Sequence, residues 1–316
     1  MNNYTEQQID FLGKGALHVE DNRDYIFGAT APEPFDWNKG YVNPCPFIAS
    51  MQGTSLSCVG QSTMNLAKNA WFHKNGNLQD FSARFPYCQI ALPNGGAFLR
   101  DGVDLLVKQG DCLNVTMPSG QTEAIMRDKT GLPEAQIVSK EYDIYGDLAY
   151  ASVGLNIDTL AVAIRDSGAV MIGATGHNIG WSTPDLKPPT LGDGQPTWGH
   201  AVTAVGAVMR NGKKAIKILN SWSSAWGENG YGYMYEDYMK WLQAAFILTD
   251  NFINPNMFDL LKTNTRPEQY VIINGKRFWV LNERVLVDLQ GVLKPIKTVS
   301  EAELLTYPDA GVLGGK

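Results

Sequence analysis

The chain has 316 residues, 44% of them hydrophobic and 18% charged, enough apolar material for a substantial core and a length that suggests about two domains. Its 26 basic and 32 acidic residues are interspersed and leave a formal net charge of -6, so there is no basic stripe for nucleic acid and no polybasic patch for a membrane surface. The longest apolar run, AVTAVGAVM, falls far short of a membrane span, and the opening MNNYTEQQIDFLGKG has neither the positive start nor the apolar core of a signal peptide. These features predict a cytoplasmic or virion- or particle-associated protein.

Residues 1–34 are polar and mixed and read as an N-terminal extension, entering the fold through the proline-punctuated TAPEPFDWNKGYVNPCPF. From Ser57 the run SCVGQSTMNLAKNAWFHKNG predicts a helix, with Ser57 as its cap, Val59, Leu66 and Ala70 near one face, and Gly76 as the stop. Further helices are predicted from Phe98 to Gln109 and from Ile157 to Asp166. After Gly168 the pattern changes to short β-prone runs, AVMIGAT, HAVTAVGAVM, AIKILNSW and GYGYMY, with Asn211-Gly212 marking a type I′ hairpin turn. The body therefore divides into a helical half, about 35–150, and an antiparallel half, about 151–253. Residues 254–316 read as a small C-terminal β meander: Asn274-Gly275 joins two strands, RVLVDL supplies a third, and Phe278 or Trp279 docks on the body or on another chain.

The four cysteines, Cys45, Cys58, Cys88 and Cys112, are too few for a disulfide scaffold, and no C-x-x-C pair occurs. His18, His73, His177 and His200 show no metal-ligand spacing, so neither a metal nor another cofactor is expected. Cys58 is a different case from an ordinary packing cysteine. It falls in the first turn of a predicted helix, where the helix dipole favours a thiolate. His200, opening the first long strand of the β half, is the candidate base, and Asn220 in KILNSWSSAWGENGYGYM the group that orients its imidazole. His177 is a rival base, read as a loop residue near the site; His18 and His73 read as surface residues and Cys45 as structural.

In this order and local context the residues resemble the papain family of cysteine proteases, over roughly Phe35 to Tyr238. DWNKGYV is similar to the family's mature N-terminus. QGTSLSC is similar to its nucleophile motif, NGG to its substrate-binding glycines, and GHAVTAVG and NSWSSAWGENGYGYM to its histidine and asparagine strands. The resemblance implies a two-domain α+β fold, with a helical left domain, an antiparallel β-barrel right domain and an active-site cleft between them. It implies Cys58 as nucleophile, His200 as base, Asn220 as the orienting amide and Gln52 as oxyanion donor, with Gly95, Gly96, Gly199 and Trp222 binding substrate and Trp222 and Trp226 shielding the histidine. The implied reaction is endopeptidase hydrolysis of a peptide or protein. The departures are Ser55 in place of a disulfide cysteine, Val59-Gly60-Gln61 in place of Trp-Ala-Phe, and Ser223 in place of a glycine; Cys112 also lies too early to pair with Cys88 in the family's way. The family's long inhibitory pro-segment is also not recognisable, so the expectation is either restraint by the N-terminal strand or by the C-terminal meander, or an enzyme active when made. The alternative is a scaffold with weakened or lost catalysis that serves as a binding or structural module of a larger assembly, and a further option passes the acyl group to an amine.

Overall fold

The computed structural model describes residues 15–18, 26–27, 33–142, 148–190, 192, 194–250, 258–265, 268–273, 276–280, 297–307 and 309–313. Contacts divide the chain into one unit, Met1–Thr249, and a second, Asp250–Lys316.

The first unit is built on one long helix, α1 (Cys58–Asn75), whose first ten residues are all buried. Ser57 stands at its N-cap, but its hydroxyl does not cap the helix as predicted. It is taken up instead by the Ser55 hydroxyl at 2.6 Å. At the other end Gly76 adopts φ 72 and donates its N–H to the Phe72 carbonyl, the left-handed stop that a side chain would strain. Four further helices complete the helical half: α2 (Arg84–Ile90), α3 (Leu99–Gln109), α4 (Glu123–Arg127) and α5 (Leu132–Glu141). Gly60, one of the departures beside the nucleophile, has a packing reason. A Cβ there would lie 2.7 Å from both the Ala83 carbonyl oxygen and the Tyr87 Cβ, so the bare glycine lets α1 and α2 touch.

The β half is a sheet of eight strands, numbered with the two strands of the cleft: β1 (Ala16–Leu17), β2 (Ile26–Phe27), β3 (Tyr41–Val42), β4 (Ala97–Phe98), β5 (Leu148–Val153), β6 (Val170–Gly176), β7 (Trp198–Arg210), β8 (Lys213–Leu219), β9 (Tyr231–Tyr235) and β10 (Leu242–Asp250). The strand order is β2-β5-β10-β6-β7-β8-β9, with β3 pairing on β7, while β1 and β4 pair separately. The predicted hairpin is present: Asn211 and Gly212 take φ 51 and 72 between β7 and β8, as a type I′ turn requires. The expected antiparallel β domain is present as an open sheet, its hydrogen-bonded path unclosed among the described residues. The outer edge of β9 is met by an irregular segment, with Tyr233 donating to the Pro184 carbonyl and Leu186 donating to that of Tyr233, rather than by a returning strand. One face of the sheet is covered by α6 (Ile157–Ser167), capped by Asn156, whose side chain accepts from the Thr159 N–H at 2.9 Å. Leu160 and Ile164 are fully buried against Val170, Ile172 and Ile216, each aliphatic side chain contributing about 1.5–3 kcal/mol by removal from water.

The second unit is a five-stranded sheet, β14-β11-β12-β13-β15, formed by β11 (Phe258–Lys262), β12 (Gln269–Ile273), β13 (Lys276–Val280), β14 (Lys297–Thr298) and β15 (Asp309–Leu313). β12 and β13 form the predicted antiparallel hairpin, although its Asn274-Gly275 tip and the predicted RVLVDL strand lie outside the described residues. The far neighbour of β13 is β15, paired in parallel. A short helix, α7 (Glu301–Leu305), places Leu304 on Leu261 to form a small core.

Candidate active site

The sequence motifs converge where the N-terminus of α1 meets the start of β7. Cys58 occupies the first residue of α1, and the backbone N–H of Ala201, the residue after His200, lies near enough to its sulfur to favour the thiolate. A group from the front of the chain and one from its back half are thus neighbours. His200 sits on β7 and is fully buried, and its Nε2 lies 2.8 Å from Asn220 Oδ1. That oxygen also accepts from the Ser221 backbone N–H at 2.8 Å, and a backbone donor fixes which end of the amide is oxygen. Nε2 must then carry the ring proton, leaving Nδ1 as a base with no hydrogen-bond partner. Trp222 lies over the imidazole with ring centroids 4.9 Å apart, and Trp181 meets its edge at 5.6 Å. Trp226 packs on Trp222 and donates its indole N–H to the Trp181 carbonyl, so these aromatics keep water from the His200–Asn220 bond.

Gln52 is fully buried and held from both halves. Its Nε2 donates to the Ser55 carbonyl at 2.9 Å, and its Oε1 accepts from the Ser221 hydroxyl at 2.6 Å. Met51 pairs with Trp222 across the same seam. Ser223, where a glycine was expected, takes φ 64, so the departure is carried as left-handed strain at a serine.

The N-terminal strand named as one candidate restraint lies over the nucleophile, at a position the sequence did not specify. β1 runs parallel to β4 through the site, with Ala16 beside Ala97 and Leu17 beside Phe98. Gly15 donates its N–H to the Gly199 carbonyl at 3.1 Å, and its own carbonyl accepts from Ala97 N–H at 2.9 Å. A Cβ on Gly15 would sit 2.7 Å from the Cys58 sulfur and closer still to the Leu56 carbonyl oxygen. Two of the four residues expected to bind substrate line this segment: a Cβ at Gly96 would meet the Gly15 oxygen at 2.8 Å, and one at Gly199 would strike the Ala16 oxygen. Gly95, at φ 84, instead faces Leu56 and Glu123, and Trp222 covers the histidine.

The electrostatics are those of a covered site. Burial pushes the Cys58 thiol up to about 12, against the lowering effect of the Ala201, Val59 and Cys58 backbone N–H groups, with the Glu123 charge raising it further. Burial likewise pushes His200 down to about 4, although its bond to Asn220 acts the other way. The thiolate expected from the helix terminus is therefore suppressed while the segment is in place. His177, expected in a loop, is 6% exposed beyond the end of β6, and neither ring nitrogen has a partner. Cys45, Cys88 and Cys112 are free and buried in apolar clusters. Among the described residues no cluster of metal-ligating side chains forms, and no helix is long and apolar enough to cross a membrane.

A helix-terminal sulfur beside an imidazole oriented by a buried amide is the ground plan of thiol hydrolases. The comparisons with known proteins agree with it. The model of the papain family of cysteine proteases matches residues 162–246, the stretch that carries His200 and Asn220. Papaya proteinase 4 of Carica papaya is 26% identical over 220 residues, which are 63% of this chain and 54% of that protein. Cathepsin K of Gallus gallus is 26% identical over 223 residues, 69% of this chain and 61% of that one, so the chain spans little more than half the length of these curated relatives. Xylellain, a cysteine protease from Xylella fastidiosa, shares the fold with a TM-score of 0.64 at 22% identity, over 76% of this chain and 97% of that one. Together these likenesses support a divergent member of the papain family of cysteine proteases.

Proposed function

We propose that this chain is a cysteine endopeptidase that hydrolyses peptide bonds with Cys58 as nucleophile, His200 as general base and acid, Asn220 as the orienting amide and Gln52 in the oxyanion hole, and that residues 15–17 keep it at rest. The observation that carries this reading is the His200 ring, fixed through Nε2 by an oxygen that can only accept, with a free Nδ1, on the strand whose next amide favours the Cys58 thiolate. When the segment withdraws, water and the dipole of an 18-residue helix reach the sulfur, and both favour the anion. Nδ1 then takes the thiol proton and the sulfur attacks the peptide carbonyl carbon. The oxyanion is held by the Cys58 backbone N–H and Gln52. The carbon–nitrogen bond breaks as the imidazolium protonates the departing amine, leaving a thioester. Water, losing its proton to His200, attacks that carbon, and the carbon–sulfur bond breaks to release the acid and restore the thiol.

The substrate is an extended polypeptide, since the space beside Cys58 already takes an extended backbone between Gly199 and Ala97. The test is incubation with a peptidyl epoxide followed by peptide mapping, in the full chain and in Gly15→Ala. One adduct at Cys58, and peptide cleavage that disappears in Cys58→Ala, is the expected result. The lack of any Cys58 adduct in both proteins under reducing conditions would favour the second reading, a binding module whose buried thiol has only a packing role.

A further inference from the structure

The nucleophile loop and the glycine wall opposite it are separate stretches of chain, and all four cysteines are free, so no covalent link holds them together. A hydrogen-bonded link does. Glu123, the first residue of α4, accepts the Leu56 backbone N–H on Oε2 at 2.8 Å and the Tyr87 hydroxyl on Oε1 at 2.7 Å. The Tyr87 oxygen in turn accepts the Gly96 N–H at 2.9 Å. One carboxylate and one phenol thereby connect the residue two before the nucleophile to the glycine that borders the cleft. The segment around Glu123 makes the same connection independently. On the nucleophile side, Thr54 donates its N–H to the Gln121 carbonyl at 2.7 Å; on the wall side, Arg127 donates to the Pro93 carbonyl at 2.9 Å.

The link is rigid at both ends. Thr122 caps α4, its side chain accepting from the Ile125 N–H, which sets Glu123 at the start of the helix. Tyr87 is fully buried on α2 with its Cβ against Gly60. Burial, reinforced by the neighbouring Glu123, raises the Tyr87 hydroxyl above its ordinary value, so it remains a protonated donor. A Cβ on Gly95 would come within 3.2 Å of Glu123 Oε1, so the wall's first glycine also lies against this carboxylate.

We infer that Glu123, acting through Tyr87, is a positioning residue that fixes the spacing between the nucleophile loop at Leu56 and the peptide-binding wall at Gly96. Its functional consequence rests on the peptidase reading above. An extended peptide must reach the wall and the sulfur together, and a displacement on the scale of one lost hydrogen bond separates those contacts. A small alkylator needs only the sulfur. Because the Gly15 segment gates both reagents equally, the ratio of peptidyl epoxide to iodoacetamide labelling rates at Cys58 is independent of how often the segment withdraws.

The experiment uses the full chain and its Glu123→Ala, Glu123→Gln and Tyr87→Phe variants. The labelling ratio is expected to fall about tenfold in Glu123→Ala and Tyr87→Phe, with a smaller fall in Glu123→Gln, which keeps one acceptor oxygen. Amide exchange followed by NMR supplies a readout that needs no activity. Tyr87→Phe should speed exchange at Gly96 and leave Leu56 unchanged, whereas Glu123→Ala should speed both. Should Glu123→Ala fail to fold, the other two variants carry the test. An unchanged ratio, or unchanged exchange at both amides, would overturn the inference. If neither reagent labels Cys58 in the parent or in Gly15→Ala, the peptidase reading fails, and the exchange pattern alone decides whether the link exists.

Discussion

Replacing Gly15 by alanine should turn a covered thiol into a reactive one. The added methyl would lie 2.7 Å from the Cys58 sulfur and nearer to the Leu56 carbonyl oxygen, and neither atom belongs to a flexible side-chain end. The strand is held by two backbone hydrogen bonds at Gly15, by its two-residue pairing with β4 and by the burial of Ala16. A methyl forced into such a site costs about 2 kcal/mol, which raises the population of the withdrawn state about thirtyfold. The assay is the rate of carboxamidomethylation by iodoacetamide at neutral pH, read site by site by peptide mapping. Cys45, Cys88 and Cys112, at 4%, 3% and 0% exposure, serve as internal monitors of general opening. The reasoning is refuted if Cys58 in Gly15→Ala reacts no faster than in the parent, or if the other three cysteines accelerate in parallel with it.

The remaining predictions concern the histidine strand and its surroundings. His200 is held neutral, its value lowered to about 4, so the unfolded chain binds a proton between about pH 6.5 and pH 4 that the folded chain refuses. Stability from this group is therefore complete above that window and lost as pH falls through it; denaturant melts should show a loss of about 2–3 kcal/mol that is absent in His200→Gln. Asn220→Ala removes the oxygen that serves both His200 Nε2 and the Ser221 N–H, and should cost about 1–3 kcal/mol in thermal unfolding while lowering peptide turnover more than peptide binding. At Ser223, φ 64 makes glycine the tolerated replacement and valine a poor one, with Ser223→Val melting below Ser223→Gly by the equivalent of about 1–2 kcal/mol.

Helical periodicity and glycine stops placed α1, α3 and α6 close to their observed limits, since each carries one apolar face and a defined end. Cys58, His200 and Asn220 stood out as candidates through the local motifs around them, and the fold brings His200 and Asn220 into hydrogen-bonding contact. The cap was misread because Ser57 had a competing partner in Ser55, a side-chain choice that spacing does not encode. The antiparallel character of the β half was legible, whereas what meets the edge of β9 was not, because the Pro184–Leu186 segment there has no strand pattern. Gly15 and Glu123 left no signal at all. One acts through bare backbone and the other through a carboxylate that only tertiary structure brings 67 positions along the chain to Leu56.

The closing contact over Cys58 is made by amide and carbonyl groups of Gly15, with hardly a side chain involved. A latch of this composition asks only for an extended stretch with one residue small enough to lie on sulfur, so the glycine itself is the position least open to change. On the peptidase reading proposed above, such a latch and an incoming polypeptide would speak the same chemical language, and release would become a matter of competition as much as of cutting.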